Sequence, residues 1–218
     1  SSKNPVVHTA ATLHRYLVPH APHHQWVQRF AEDTIAHLQS SLRDVDTELP
    51  AGQTSWYDHY NEIRDLDSGM APTIDLIEYA LGHIMPSEIR EHPIFKQAQH
   101  YVARYCSLTN DIFSYEKEVI AFGSEFNAVV MLQRDGYSLV EAVDHLIEDL
   151  NNMVTAFIAL TRDLPTWDDD ETQALAERYM ESLWHQIVAA YHWQFSTNRY
   201  RSQNSIFAEL RTPLQNVS

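Results

Sequence analysis

The sequence predicts an all-α bundle of about seven or eight helices, and three observations carry that prediction. Only 5 Gly accompany 9 Pro in 218 residues, too few turn-formers for a meander of short strands joined by Gly-rich hairpins. Three long segments place apolar residues at the three-and-four spacing of a helix with one buried stripe. No repeat, low-complexity tract or long linker divides the chain, so residues 1–218 read as a single helical domain with enough length to bury a core.

Taken in order, helices are expected at Ala10–Leu17, His24–Leu42, Ser55–Leu66 and Thr73–Leu81. Pro19, Pro22, Pro50, Gly52, Gly69, Pro72 and Pro86 separate them. Phe95 to Phe122 reads as one long helix with the stripe Ala98, Tyr101, Val102, Tyr105, Leu108, Ile112, Tyr115 and Val119. The next runs from Ser138 to Thr161, where Ser138 followed by Glu141 has the form of a capping box. A third long helix, Asp170–Asn198, is entered through Asp168-Asp169-Asp170-Glu171, negative charge at a positive helix end. Thr212 to Ser218 read as a loose tail.

The 15 Lys and Arg against 30 Asp and Glu give a net charge of −15, which argues against a generic grip on nucleic acid or anionic lipid. An anionic ligand therefore needs a local pocket. The single cysteine, Cys106, excludes an intrachain disulfide and a Cys-built zinc site. With no apolar run long enough to span a membrane and no signal-peptide core at Ser1–Pro5, the reading is a soluble, cytoplasmic protein. His20 and His24 have the i, i+4 spacing of metal ligands, but Pro19 and Pro22 interrupt a helix there, so with His14 and His23 they read as a surface cluster. No Glu-x-x-His motif supports a di-iron site.

The chemistry gathers in three places. Asn110, Ser114 and Glu118 lie at i, i+4 and i+8 of the long helix, an amide, a hydroxyl and a carboxylate along one face. All three offer oxygen to a hard cation such as Mg²⁺, which shares its shell with water and phosphate oxygens. The outer two Cα atoms are ~12 Å apart in a regular helix, so their side chains must converge on Ser114. A solvated polar stripe is the alternative. Arg64 and Asp67 precede a helix break at Gly69, where Arg64 either meets a ligand or makes an intrahelical pair with Asp67 or stacks on Tyr60. Near the C-terminus, Arg199 and Tyr200 have the donors to hold a phosphate, and Trp193 either packs in the core or lines a pocket.

The run Asn110-Asp111-Ile112-Phe113-Ser114-Tyr115-Glu116-Lys117-Glu118 resembles the metal-binding motif of class I terpene synthases of the microbial sesquiterpene cyclase type. The order and separation of Arg64, Asn110 and the Arg199-Tyr200 pair resemble the same family. The resemblance implies an all-α terpenoid synthase bundle and an enzyme that ionises an acyclic prenyl diphosphate, farnesyl diphosphate first among them, and cyclises the carbocation. It implies Asn110, Ser114 and Glu118 as ligands of one of three Mg²⁺ ions. It also implies Arg64, Lys117, Arg199 and Tyr200 as diphosphate contacts, Arg64 as the diphosphate sensor, and Asp67, Ser68 and Gly69 as the linker and effector at the helix break. Trp193 becomes a pocket wall that stabilises carbocations.

One feature departs from the family. Its aspartate-rich metal motif, upstream of the sensor arginine, has no counterpart among Glu32, Asp33, Asp44, Asp46 and Glu48. The chain thus looks like the C-terminal two-thirds of such an enzyme. A non-catalytic helical module with a vestigial diphosphate site stands as the second reading. Apolar stripes left uncovered imply aggregation or a homodimer through the open face.

Overall fold

The computed structural model describes residues 5–43, 46, 48–203 and 205–211; Asp44 and the expected tail Thr212–Ser218 lie outside these, as does the side chain of His14. Among the described residues the chain forms nine α-helices and no strand. They are α1 (Pro5–Leu17), α2 (His24–Ser40), α3 (Trp56–Asp67), α4 (Met70–Leu81), α5 (Ser87–Arg90), α6 (Pro93–Tyr115), α7 (Ala128–Arg134), α8 (Leu139–Arg162) and α9 (Asp170–Ser196). No described helix is long and apolar enough to cross a membrane.

Helix α6 is the central element, packed against α3, α4, α7, α8 and α9. Its apolar stripe divides between two cores. Phe95, Ala98 and Val102 join Phe157 of α8 and Tyr179, Leu183 and Ile187 of α9. Further along, Leu108 and Tyr115 join Tyr60 of α3, Val129 and Leu132 of α7 and Leu146 of α8. Each fully buried side chain of this size contributes about 1.5–3 kcal/mol, so α6 is held from both ends of its length. Trp26, 0% exposed, pins α2 to α4 by donating its indole N–H to the Asp75 carbonyl at 2.7 Å.

The helix ends follow local chemistry. Ser138 and Glu141 form the capping box that begins α8. Asp169 accepts the Thr172 N–H at 2.7 Å, so the acidic run is a helix start. Gly69 caps α4 in the left-handed region at φ 68°, where a Cβ would also meet His37 at 3.2 Å. Helix α4 begins at Met70, earlier than expected, because Pro72 falls in the first turn, where its missing N–H costs no bond.

Other expectations are corrected. Helix α1 begins at Pro5 rather than near Ala10, and α5, α7 and three 3-10 turns, Val18–His20, Asn198–Tyr200 and Ala208–Leu210, were not foreseen. Such pieces are too short to show a periodicity. The segment expected as one helix to Phe122 stays α-helical only to Tyr115, then widens into a π turn over Glu116–Ala121. Ile35 and Leu38 of α2, Leu42 beyond its end and Leu66 of α3 are exposed.

Candidate functional site

A cleft of about 370 Å³ opens between α3, α4, α6, α9 and the turn that follows α9. Arg64 and Ser68 form one wall, Met70 and Thr73 the next, Cys106, Ser107 and Asn110 the floor on α6, and Trp193, Gln194, Arg199 and Tyr200 the far side. Three residue groups far apart in sequence thus meet in one place. The contacts are direct: Asn110 donates its amide N–H to the Tyr200 hydroxyl oxygen at 2.8 Å and accepts from Arg64 Nη2 at 3.4 Å.

Arg64 pairs with Asp67 at 3.3 Å, as one reading of the sequence had it. Its shorter pair is with Asp111 of α6 at 2.8 Å. Burial works to lower the Arg64 pKa, but Asp111, Tyr60 and Asp67 outweigh it and hold the guanidinium charged. Its Nε is buried with no hydrogen-bond partner.

Trp193 is 54% exposed and meets Tyr200 edge-on at 6.0 Å, so it stands at the cleft rather than in the core. Arg199 is exposed, its guanidinium 5.6 Å from the Tyr200 ring centroid. Cys106 is a buried thiol pushed up to about 12 by burial, which leaves it unreactive.

The three oxygen donors divide: Asn110 and Ser114 are on α6, Glu118 is on the π turn after it, and only Asn110 lines the cleft. Ser114 donates to Glu118 Oε2 at 2.8 Å across the junction between α6 and the π turn. Asn110 faces Arg64 and Tyr200 one turn before. An amide, a hydroxyl and a carboxylate with no sulfur or imidazole fit Mg²⁺, and too few donors for a closed protein shell leave room for water and ligand oxygens. Among the described residues no group of three or more His, Cys, Asp and Glu forms a metal cage.

Not every expected residue reaches the cleft. Lys117 lies in the π turn with its ammonium 5.8 Å over the Phe122 ring. Asp67 lines a separate cavity of about 340 Å³ with Tyr60, His59 and Phe126. Ser68 faces the cleft and accepts the Met70 N–H at 3.2 Å, while Gly69 supplies the turn. The exposed His23 and His24 rings are 4.0 Å apart, and His23 caps α2.

Asp111 and Gln194 have no role in the sequence reading, and Tyr60 enters it only as a stacking partner of Arg64. Asp111, 1% exposed, takes the Tyr60 hydroxyl and the Arg64 guanidinium, and Gln194, 4% exposed, donates to the Cys106 carbonyl at 3.3 Å. The available signal was adjacency: Asp111 follows Asn110, and Tyr60 precedes Arg64 by one helical turn on α3.

Residues 1–156 match the family model described as terpene synthase family 2, C-terminal metal binding. The chain is 31% identical over 170 residues to sesquiterpene synthase Agr3 of Cyclocybe aegerita, covering 78% of this chain and 46% of that protein. It is 33% identical over 178 residues to sesquiterpene synthase 3 of Postia placenta, covering 79% and 47%. The chain thus spans about half the length of these curated relatives. Among solved structures, germacradien-4-ol synthase from Streptomyces citricolor superposes with a TM-score of 0.71 at 22% identity over 89% of this chain and 62% of that one. Wild-type cucumene synthase gives 0.72 at 18% over 89% and 63%. These two likenesses establish a shared all-α fold.

Proposed function

The chain belongs to terpene synthase family 2, of which it carries the C-terminal metal-binding part, and from that premise we propose that it forms the diphosphate-binding side of a Mg²⁺-dependent class I terpene cyclase. Its substrate is an acyclic prenyl diphosphate, farnesyl diphosphate first among them, and its product a cyclic sesquiterpene. The observation that carries this reading is the meeting of Arg64, Asn110 and Tyr200 from three segments at one cleft. We take residues 1–218 as one helical domain, since α6 ties the elements on both sides of it.

Asn110, Ser114 and Glu118 would hold Mg²⁺, which when bound would supply positive charge to stabilise the departing diphosphate. Arg64 and Arg199 direct guanidinium N–H groups at the diphosphate oxygens, a geometry an ammonium does not reproduce. The Tyr200 oxygen accepts from Asn110, which leaves its own hydrogen for a phosphate oxygen. Lys117 adds a contact by leaving the Phe122 ring. Heterolysis of the allylic C–O bond leaves its electron pair on the diphosphate and a cation in the cleft, where donors aimed at the oxygens act on charge as it develops. Trp193 offers the cation an aromatic face, and Met70 and Ala190 give the cleft apolar wall. Asp67, Ser68 and Gly69 join Arg64 to the reacting end as linker and effector.

The test is a calorimetric titration of the full chain with inorganic diphosphate, with and without Mg²⁺, beside a product assay on farnesyl diphosphate. Diphosphate binding that requires Mg²⁺, with weak binding of Mg²⁺ alone, supports the reading. Tight Mg²⁺ binding to the free chain, or no diphosphate binding at all, overturns it.

A further inference from the structure

We propose that Asp111 is a positioning residue of the cleft: it holds Arg64 in the pose that meets a diphosphate without touching that ligand itself. The inference rests on the cleft being a diphosphate site. Asp111 is 1% exposed and is not part of the cleft wall, so it acts through another group.

Its two oxygens are divided between separate tasks. Oδ2 accepts the Tyr60 hydroxyl and, at 3.3 Å, the Ala128 backbone N–H at the start of α7. Oδ1 accepts Arg64 Nη2 at 2.8 Å. Asn127 adds a third tie by donating its side-chain N–H to the Asp111 carbonyl at 2.9 Å while capping α7. The carboxylate is therefore fixed by α3 and α7 independently of Arg64, and Tyr60 is itself immobilised at 1% exposure against Phe126.

The consequence for Arg64 follows from the shape of the guanidinium. A long flexible side chain is held by one short charge-assisted bond through Nη2, while Nη1 has only a 3.3 Å contact with Asp67 and Nε has none. The planar fork of this cleft-lining residue is thereby oriented with Nη1 only weakly engaged, the condition in which an anion completes the set. Asn110 is placed by the same joint, since it is the neighbour of Asp111 on α6 and also contacts Arg64. Supporting residues of this kind typically change affinity by about 10–100-fold when removed.

The experiment is a titration of inorganic diphosphate in Mg²⁺ buffer on the full chain and on Asp111→Asn, Tyr60→Phe, Arg64→Ala and the double variants with Arg64→Ala, each also melted. Asp111→Asn is expected to weaken diphosphate binding about tenfold and Tyr60→Phe by a smaller factor, and neither to weaken it further in the Arg64→Ala background. Parent affinity in Asp111→Asn, or an equal loss whether or not Arg64 is present, overturns the role while leaving the diphosphate site standing. A parent chain that binds no diphosphate overturns both. Should Asp111→Asn not fold, the Tyr60→Phe cycle decides alone: a loss that needs Arg64 supports the role, and a lowered melting temperature with unchanged affinity refutes it.

Discussion

Two clusters of opposite charge lie within the bundle, and they differ in what they leave open. Between α2, α4 and α5, Arg29 and Arg90 face Asp75 and Glu78 at 2.7–3.2 Å, and Glu78, 0% exposed, gives its other oxygen to the Met85 N–H. None of these residues lines the cleft. Between α3, α6 and α7, Arg64 is held by Asp111 and Asp67 at the cleft wall, with Arg199 exposed across from it. Burial and ion pairing are common to both. What separates a site from a brace is the cleft beside it, where charge can still be answered by a ligand.

The comparison predicts opposite phenotypes. The largest effect is expected from Glu78→Ala, which leaves Asp75 alone to answer both Arg29 and Arg90 and takes the acceptor from the buried Met85 N–H, at a cost of about 3 kcal/mol. At this chain length that lowers the melting temperature by about 10 °C, and diphosphate affinity of the folded fraction stays at the parent value. A melt and a titration check it, and a small shift would mean the first cluster is no brace.

Asp135→Ala comes next. Asp135 accepts from Ser55 Oγ at 2.8 Å and from the N–H groups of Trp56 and Tyr57 at 2.7 and 3.0 Å, so it caps α3 from the end of α7. Its removal is expected to cost about 1–2 kcal/mol by chemical denaturation. Arg199→Lys inverts the pattern of Glu78→Ala: about tenfold weaker diphosphate binding, near 1.4 kcal/mol, with an unchanged melt because Arg199 is exposed. Unchanged affinity there would remove Arg199 from the site.

The smallest effect belongs to Asp33, whose carboxyl burial and the facing Asp75 push up to about 6 from 3.8. The folded state then keeps a proton that the unfolded chain releases, so this contribution is full below about pH 4 and is lost as pH rises through 6. Asp33→Asn is expected to flatten the melting temperature between pH 4 and 6.5 and to stabilise the protein at pH 7 by about 1 kcal/mol or less after solvent screening. A melting series against pH reads it, and an unchanged slope would place Asp33 outside the first cluster.

Much of the fold was legible because its signals are local. The three long helices follow from apolar spacing alone, and the start of α8 was visible in Ser138 and Glu141. The helix start at Asp169 was as clear, since a cap is a contact between residues three apart. By contrast, the π turn after Tyr115 was read as helix, because Val119 keeps the three-and-four stripe while the hydrogen bonding widens. Trp193 carried the same helical pattern whether it faced the core or the cleft, and only the position of Tyr200 beside it separates the two.

The sequence by itself determined the all-α class, the long helices and the oxygen-donor pattern of Asn110, Ser114 and Glu118, since each depends on neighbours within about two turns along one helix. Tertiary structure alone decided that Arg64 pairs chiefly with Asp111 and that Asn110 reaches Tyr200. Those choices depend on how α3, α6, α7 and α9 pack, and packing brings together groups whose spacing along the chain carries no period to read.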